Sequence, residues 1–264
     1  MRNNLIELLE YALHAAKMAG EEILKIYAQC DINLAYKGDG SPVTNADLIA
    51  NLVINKILQS SGLPVVSEED FVPYEKRSNW QRFWLVDPLD GTKDFIARNN
   101  EFSVNIALIE AGSPVIGVIA APALNTIWYA ARGSGAWSIS FGERIQISGL
   151  APWPLSPRMF TSRFHDSKDS QEFSRMNGVQ ICIPTGASIK LARLAASEAE
   201  FYPRFAGTSE WDVAAGDAIL REAGAELRAI SGELINYNTP KMRNPFFIAW
   251  RPPVQWIDIK FNRT

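Results

Sequence analysis

Leu85–Ile96 reads LVDPLDGTKDFI. An apolar and aromatic run, Phe83 to Val86, leads into it and predicts a buried strand over Arg82–Val86. Two aspartates follow, Asp87 and Asp90, with Pro88 between them and Gly91-Thr92 straight after. One carboxylate at a strand end is an ordinary turn residue or helix cap. Two on a proline-stiffened bend point to a cation that must be held. Lys93 to Ile96 then read as the start of a short helix. Glycine lets the backbone approach a ligand closely, and free amides at a helix start favour an anion. Gly91 and Thr92 are therefore candidate phosphate contacts beside candidate metal ligands, and Thr92 is placed to orient or deprotonate a water.

Composition narrows the chemistry. The 264 residues suffice for one large domain or two modest ones, and 47% hydrophobic with 21% charged residues is ordinary for a soluble fold. A net charge of -3 argues against a nucleic-acid polymer or a polybasic membrane anchor as partner, but allows a small anionic substrate. Two cysteines, Cys30 and Cys182, stand far apart in no metal-like spacing, which favours a reducing cytoplasm. The N-terminus has no apolar signal core, and no run reaches the length of a membrane span. With only His14 and His165, a metal would need oxygen ligands, which points to magnesium, calcium or manganese.

The pattern along the chain predicts a long helix over residues 4–28, a loop over 38–43, and a second helix over Asn45–Gln59 with Thr44 as N-cap. A short strand over Pro64–Ser67 ends in Glu68, Glu69 and Asp70. Phe102 to Ser140 reads as an antiparallel meander. Proline-rich residues 149–157 look like a linker. Beyond them, strands at Arg158–Ser162, Val179–Ile183, Glu200–Tyr202, Ala225–Arg228 and Phe246–Trp250 alternate with helices over Lys168–Met176, Ala187–Ser197 and Trp211–Glu222. The simplest organisation is an α+β half over 1–148 and an α/β half over 149–264, meeting at a cleft.

Acids stand at the predicted element ends: Glu68 and Glu69, Asp87 and Asp90, Asp212 in the first turn of a helix, and Asp47 in another. Each alone is commonplace, as a cap, a dipole partner or a solvated charge. Together they suit divalent cations, because carboxylates buried side by side cost several kcal/mol unless neutralised.

The blocks SEED (Ser67 to Asp70), VDPLDGTKDF (Val86 to Phe95), EWDVAAGDAIL (Glu210 to Leu220) and KGDGSPVTNAD (Lys37 to Asp47) resemble the inositol monophosphatase superfamily. The KGDGSPVT loop, Lys93-Asp94-Phe95, GASIK (Gly186 to Lys190), FYPRF (Phe201 to Phe205) and NPFFIA (Asn244 to Ala249) are most similar to its CysQ-type 3'(2'),5'-bisphosphate nucleotidase branch. The resemblance implies a layered αβαβα sandwich with its active site between two subdomains. It implies a lithium-sensitive, magnesium-dependent phosphomonoesterase that removes the 3'-phosphate of adenosine 3',5'-bisphosphate, or of its sulfated form, by attack of a metal-activated water. Inositol monophosphate or another sugar phosphate is the alternative substrate, and a catalytically silent nucleotide-binding homologue is a more distant one.

Carried over to this sequence, Glu68, Asp87, Asp90 and the Leu89 carbonyl would hold a first Mg²⁺. Asp90 and Asp212 would hold a second, with Glu69 for a third, loosely held ion. Asp47 and Thr92 would activate the water, with Glu68 also in the catalytic set. Gly91 and Thr92 would take the phosphate. Gly186, Ser188, Lys190 and Arg204 would face the substrate, with Lys190 and Arg204 equally readable as surface charges. Ala187 stands where the branch often has serine, and Val213 where the family often has threonine. Monomer or homodimer, and a peripheral place at the inner membrane, stay open.

Overall fold

The computed structural model describes residues 2–29, 34–36, 42–164 and 168–261. Helices α1 (Arg2–Tyr27) and α2 (Asn45–Leu58) form an outer layer. Ala12, Ala16, Ala19 and Ile23 of α1, and Ala46, Ala50, Ile54 and Leu58 of α2, are buried. Their three- and four-residue spacing draws one apolar stripe on each helix. A small ribbon, β1 (Leu34–Tyr36) and β2 (Pro42–Thr44), precedes α2. Of the expected loop over 38–43, residues 38–41 lie outside the described residues, and the rest is strand.

The stripes of α1 and α2 cover a sheet of β3 (Val65–Ser67), β4 (Arg82–Asp90), β5 (Ser103–Glu110), β6 (Ser113–Ala121), β7 (Thr126–Ala131), β8 (Ala136–Ser140) and β9 (Glu143–Ile147), in that order. Strand β3 runs parallel to β4, and every other neighbour is antiparallel. Short helices α3 (Tyr74–Arg77) and α4 (Thr92–Ile96) stand before and after β4. Trp84 and Val86 point towards α1 and α2, whereas Phe83 and Leu85 point the other way. Both faces of the sheet's centre are thus buried, which explains the near-continuous apolar texture of β5 and β6 and of β4 up to Val86, whereas β9 at the edge is largely exposed.

From Arg158 the chain adds β10 (Arg158–Ser162), α5 (Lys168–Met176), β11 (Ile181–Thr185), α6 (Ile189–Ala195), β12 (Phe201–Arg204), α7 (Glu210–Ala223), β13 (Glu226–Ala229) and β14 (Phe247–Trp250). The strands form a second sheet in the order β11-β10-β12-β14-β13. Helices α6 and α7 lie between the two sheets. Phe83, Leu85 and Ala107 from the first sheet, Leu191 and Ile219 from the helices, and Phe160 and Phe247 from the second share one apolar core. On the far face, Phe173 of α5 meets Phe201 edge-on at 5.5 Å. The result is the expected αβαβα sandwich.

Most element ends lie within two residues of the sequence reading, as capping and fraying allow, and the meander gains β9 beyond Ser140. One difference matters more. Strand β4 does not stop at Val86 but runs on through Asp90.

Helix α7 lies directly on β6 because Gly117 has no side chain. A Cβ there would stand 2.2 Å from the Ala215 carbonyl oxygen and 2.9 Å from the Ala218 Cβ. Gly117→Val should therefore destabilise the fold by about 1–3 kcal/mol. For a chain of this length that lowers the melting temperature by roughly 2–4 °C per kcal/mol. A calorimetric scan that finds the variant melting with the wild type would show that α7 is free to lift off the sheet.

Candidate functional site

The site begins with an irregularity in β4. Asp87 pairs with Asn105 of β5, and Asp90 pairs with Ser103, so the register shifts between them. Three steps on β4 match two on β5, which makes a β-bulge with one extra residue. In a regular strand, residues three apart point to opposite faces. The bulge cancels that alternation, and Asp87 and Asp90 share the face of Ser103 and Asn105. This is also the face of Phe83 and Leu85, which looks onto α6 and α7. Leu89 goes to the other face, into the core under α1 and α2. Pro88, with no N–H to give to a ladder, sits where the ladder is interrupted. The Leu89 amide donates to Asp87 Oδ1 at 3.0 Å and braces the bend.

Two helix starts deliver further acids, by the same device. Thr44 caps α2 in a capping box whose third residue is Asp47; Asp47 Oδ2 accepts from the Thr44 amide and hydroxyl, both at 2.7 Å. Ser209 caps α7 in the same way, and Asp212 Oδ2 accepts from the Ser209 amide at 2.8 Å. Glu68 follows β3, which the parallel ladder sets beside β4. Carboxylate oxygens of Glu68, Asp87 and Asp212 lie within 4.8 Å of one another. Asp90 is held next to them by the Ser188 amide at 2.5 Å and the Asn105 side-chain amide at 3.3 Å, both donating to Oδ2.

The charges betray the crowding. Burial pushes the Asp87 carboxyl well above the usual range, and Glu68, Asp90, Asp212 and Asp47 push it further. Asp212 rises for the same reasons, burial first and then Asp90, against the lowering effects of the Ser209 amide and Arg204. Burial raises Asp47 to about 6, opposed by its Thr44 hydrogen bonds and aided by Glu69. Buried acids whose charged neighbours are mostly acids, and for Asp87 entirely so, are a poor resting place for anything but a cation. The donor set is all oxygen, which fits a hard divalent ion.

A cleft of about 500 Å³ opens beside this cluster. Glu68, Asp90, Gly91, Thr92 and Asp212 line it, and so do Gly186, Ser188, Lys190 and Arg204. Asp47, Asp87 and Leu89 are buried. Thr92 Oγ lies 3.4 Å from both Asp47 Oδ1 and the Leu89 carbonyl oxygen. Gly91 adopts a left-handed φ of 87° at the start of α4, a conformation that favours glycine.

The substrate-facing candidates are more entangled than their sequence suggests. The Gly186 amide donates to Glu101 Oε2 at 2.8 Å, and a Cβ on Gly186 would strike the Glu101 carbonyl at 2.5 Å and the Asp94 carboxyl at 2.6 Å. The Ser188 hydroxyl donates to Asn105 Oδ1 at 2.6 Å and meets the Ser103 hydroxyl at 2.9 Å. Lys190 is buried, not an exposed helix charge: its ammonium donates to the carbonyls of Thr185 at 3.0 Å and Ala187 at 2.6 Å. Burial lowers its pKa to about 8.

Sequence reasoning passed over Asn105, Asp94 and Glu101. Asn105 carried a signal: a lone amide in the apolar run SVNIALIE needs a partner once buried. Arg243 and Thr208, which also line the cleft, carried none.

Residues 4–253 match the model of the inositol monophosphatase family. The chain is 44% identical to a 3'(2'),5'-bisphosphate nucleotidase CysQ of Salmonella typhimurium, over 91% of this chain and 98% of that one. It is 41% identical to the CysQ of Escherichia coli K12 over the same shares. Its structure superposes on that of CysQ from Bacteroides thetaiotaomicron with a TM-score of 0.83, at 36% identity, covering 92% and 96% of the two chains.

The crowded acids carry a stability signature. A group whose pKa is raised by folding stabilises the fold fully only below its unfolded value, 3.8 here. That contribution is lost as pH rises, through about 6 for Asp47 and through the raised pKa values of Asp87 and Asp212. In chelator, the melting temperature should therefore fall as pH rises from the acid side through neutrality, and Mg²⁺ should restore it at neutral pH. Asp87→Asn should raise the metal-free melting temperature and remove most of the magnesium response. A drop in the metal-free variant would rule out repulsion as the dominant effect.

Proposed function

The chain belongs to the inositol monophosphatase family, and on that footing we propose that it is a 3'(2'),5'-bisphosphate nucleotidase. It removes the 3'-phosphate of adenosine 3',5'-bisphosphate, giving AMP and phosphate, with the sulfated nucleotide as a second substrate. What supports the reading is the gathering of Glu68, Asp87, Asp90 and Asp212 beside a cleft that also holds Lys190 and Arg204, in a chain so similar to CysQ.

The family is one of metal-dependent phosphatases. We assign Mg²⁺, two or three ions. Glu68, Asp87, Asp90 and the Leu89 carbonyl would hold the first, Asp90 and Asp212 the second, and Glu69 a loosely held third. Bound there, divalent ions neutralise the charge of the transferring phosphoryl group and acidify a water.

The chain's own groups do the rest. The Thr92 hydroxyl orients the attacking water and hands its proton towards Asp47, whose pKa of about 6 suits a base near neutral pH. Glu68 reaches the same water from the β3 end. The Gly91 and Thr92 amides receive phosphate oxygens. Arg204 meets the nucleotide's other phosphate. Lys190 acts chiefly through its charge, because two of its three protons are engaged by carbonyls. Gly186 and Ser188 hold the wall on which these groups stand. In this reading water, oriented by Thr92 beside Asp47, is the nucleophile. Cys182 is a free thiol, which suits a cytoplasmic protein, and monomer or homodimer serves this chemistry equally. Among the described residues, no helix is long and apolar enough to cross a membrane.

Phosphate release with and without Mg²⁺ tests the reading, across adenosine 3',5'-bisphosphate, its sulfated form, myo-inositol 1-phosphate and fructose 1,6-bisphosphate. Magnesium-dependent preference for the adenosine nucleotides is expected. Preference for inositol phosphate would overturn the substrate. Asp90→Asn should lower kcat by about 10²–10³-fold or more with the fold intact; turnover like the wild type's would sink the metal assignment.

A further inference from the structure

Arginines in this protein are almost all engaged. Arg77, Arg98, Arg158, Arg163, Arg193, Arg221 and Arg251 donate to carbonyls or carboxylates, and Arg144 lies over Trp137. Arg82, Arg132, Arg175 and Arg228 are in ion pairs. Among the arginines whose side chains are described, two have no hydrogen bond, ion pair or ring contact: Arg204, whose Nε is buried without a partner, and Arg243. Both line the same cleft.

The backbone around Arg243 is pinned. Met242 accepts from the Glu210 amide at 3.0 Å, and the Asn244 amide donates to the Thr208 carbonyl at 3.0 Å. The Asn244 side chain donates to Thr208 Oγ at 3.1 Å and to the Ser209 carbonyl at 2.5 Å. Ser209 and Arg243 pair as an antiparallel bridge. Met242 and Asn244 are buried, whereas Arg243 between them is exposed. That is the alternation of an extended strand, and it turns one cationic side chain outwards beside the start of α7. Gly207, across from it in the lining, leaves open space: a Cβ there would meet nothing within 4 Å.

A guanidinium offers five donors in a rigid fork and suits a phosphate dianion better than a point charge does. Lys190 is less suited, since two of its three protons already go to the Thr185 and Ala187 carbonyls. We propose that Arg243, with Arg204, grips the second, non-reacting phosphate of the substrate, and that this grip makes the enzyme select bisphosphates over monophosphates. The inference rests on the nucleotidase reading and assigns its specificity to a residue outside the metal cluster.

The test compares wild type, Arg243→Ala and Arg243→Lys on adenosine 3',5'-bisphosphate and adenosine 3'-monophosphate. In Arg243→Ala, the ratio of kcat/KM for the bisphosphate over the monophosphate should fall about 10–100-fold, chiefly through KM of the bisphosphate. Arg243→Lys should recover part of it. Equal losses on both substrates, as a merely structural role would give, or no loss on either, overturn the proposal. Calorimetric titration of metal-free protein with adenosine 3',5'-bisphosphate gives an independent readout. If wild type releases no phosphate from the bisphosphate, the nucleotidase reading fails, and this titration alone decides: weaker binding to Arg243→Ala by about tenfold or more supports the grip, and equal binding refutes it.

Discussion

Everything near the cleft is arranged around like charges that are not allowed to separate. Glu68, Asp87 and Asp212 crowd within 4.8 Å, and Asp90 is clamped beside them. At that spacing a pair of carboxylates repels by about 3–4 kcal/mol even at an effective dielectric near 20. A soft scaffold would let them swing apart. Here a bulge fixes Asp87 and Asp90 on one face, and a helix start fixes Asp212. The helix itself is pressed onto the sheet through Gly117. The layered core therefore acts as the clamp, and the αβαβα architecture is what makes an acidic cluster tolerable.

The opposite wall is organised by different means. Glu101 holds the GASIK loop through the Gly186 amide, Asp94 packs against the same glycine, and the two acids share Arg163, which lies 2.5 Å from Glu101 and 3.6 Å from Asp94. Ser188 links that loop to Asp90 through its amide and to Asn105 and Ser103 through its hydroxyl. The acidic cluster and the opposite wall of the cleft are thus one hydrogen-bonded body. Displacing the loop by even one bond would be felt at Asp90.

Much of this was legible in the chain. The amphipathic helices, the meander, and the acids at element ends follow from period and from charge placement, both local properties. So does Thr44 as a cap, whereas the gathering of Glu68, Asp87 and Asp212 was expected through the family resemblance. The bulge was not legible, because an inserted residue shows only against the register of its partner strand. Lys190 was ambiguous for a related reason: GASIK does not say whether its lysine faces water or two carbonyls. Arg243 gave no signal at all. It matters only because chain distant in sequence, around Thr208, pins its neighbours and leaves its own side chain unpartnered.

The two capping boxes have one more consequence. In each, the aspartate engages Oδ2 with its own helix start, at Thr44 or Ser209, and keeps Oδ1 for other work. A single carboxylate is thereby split between anchoring its helix and facing the site, and its rotation about χ2 is stopped. The cluster cannot relieve its repulsion by torsion, so relief is left to protons, which the raised pKa values favour, or to a cation. On the proposed metal reading, such a site is preset rather than adaptable: an ion would meet carboxylates already in place, with little reorganisation left to slow its capture.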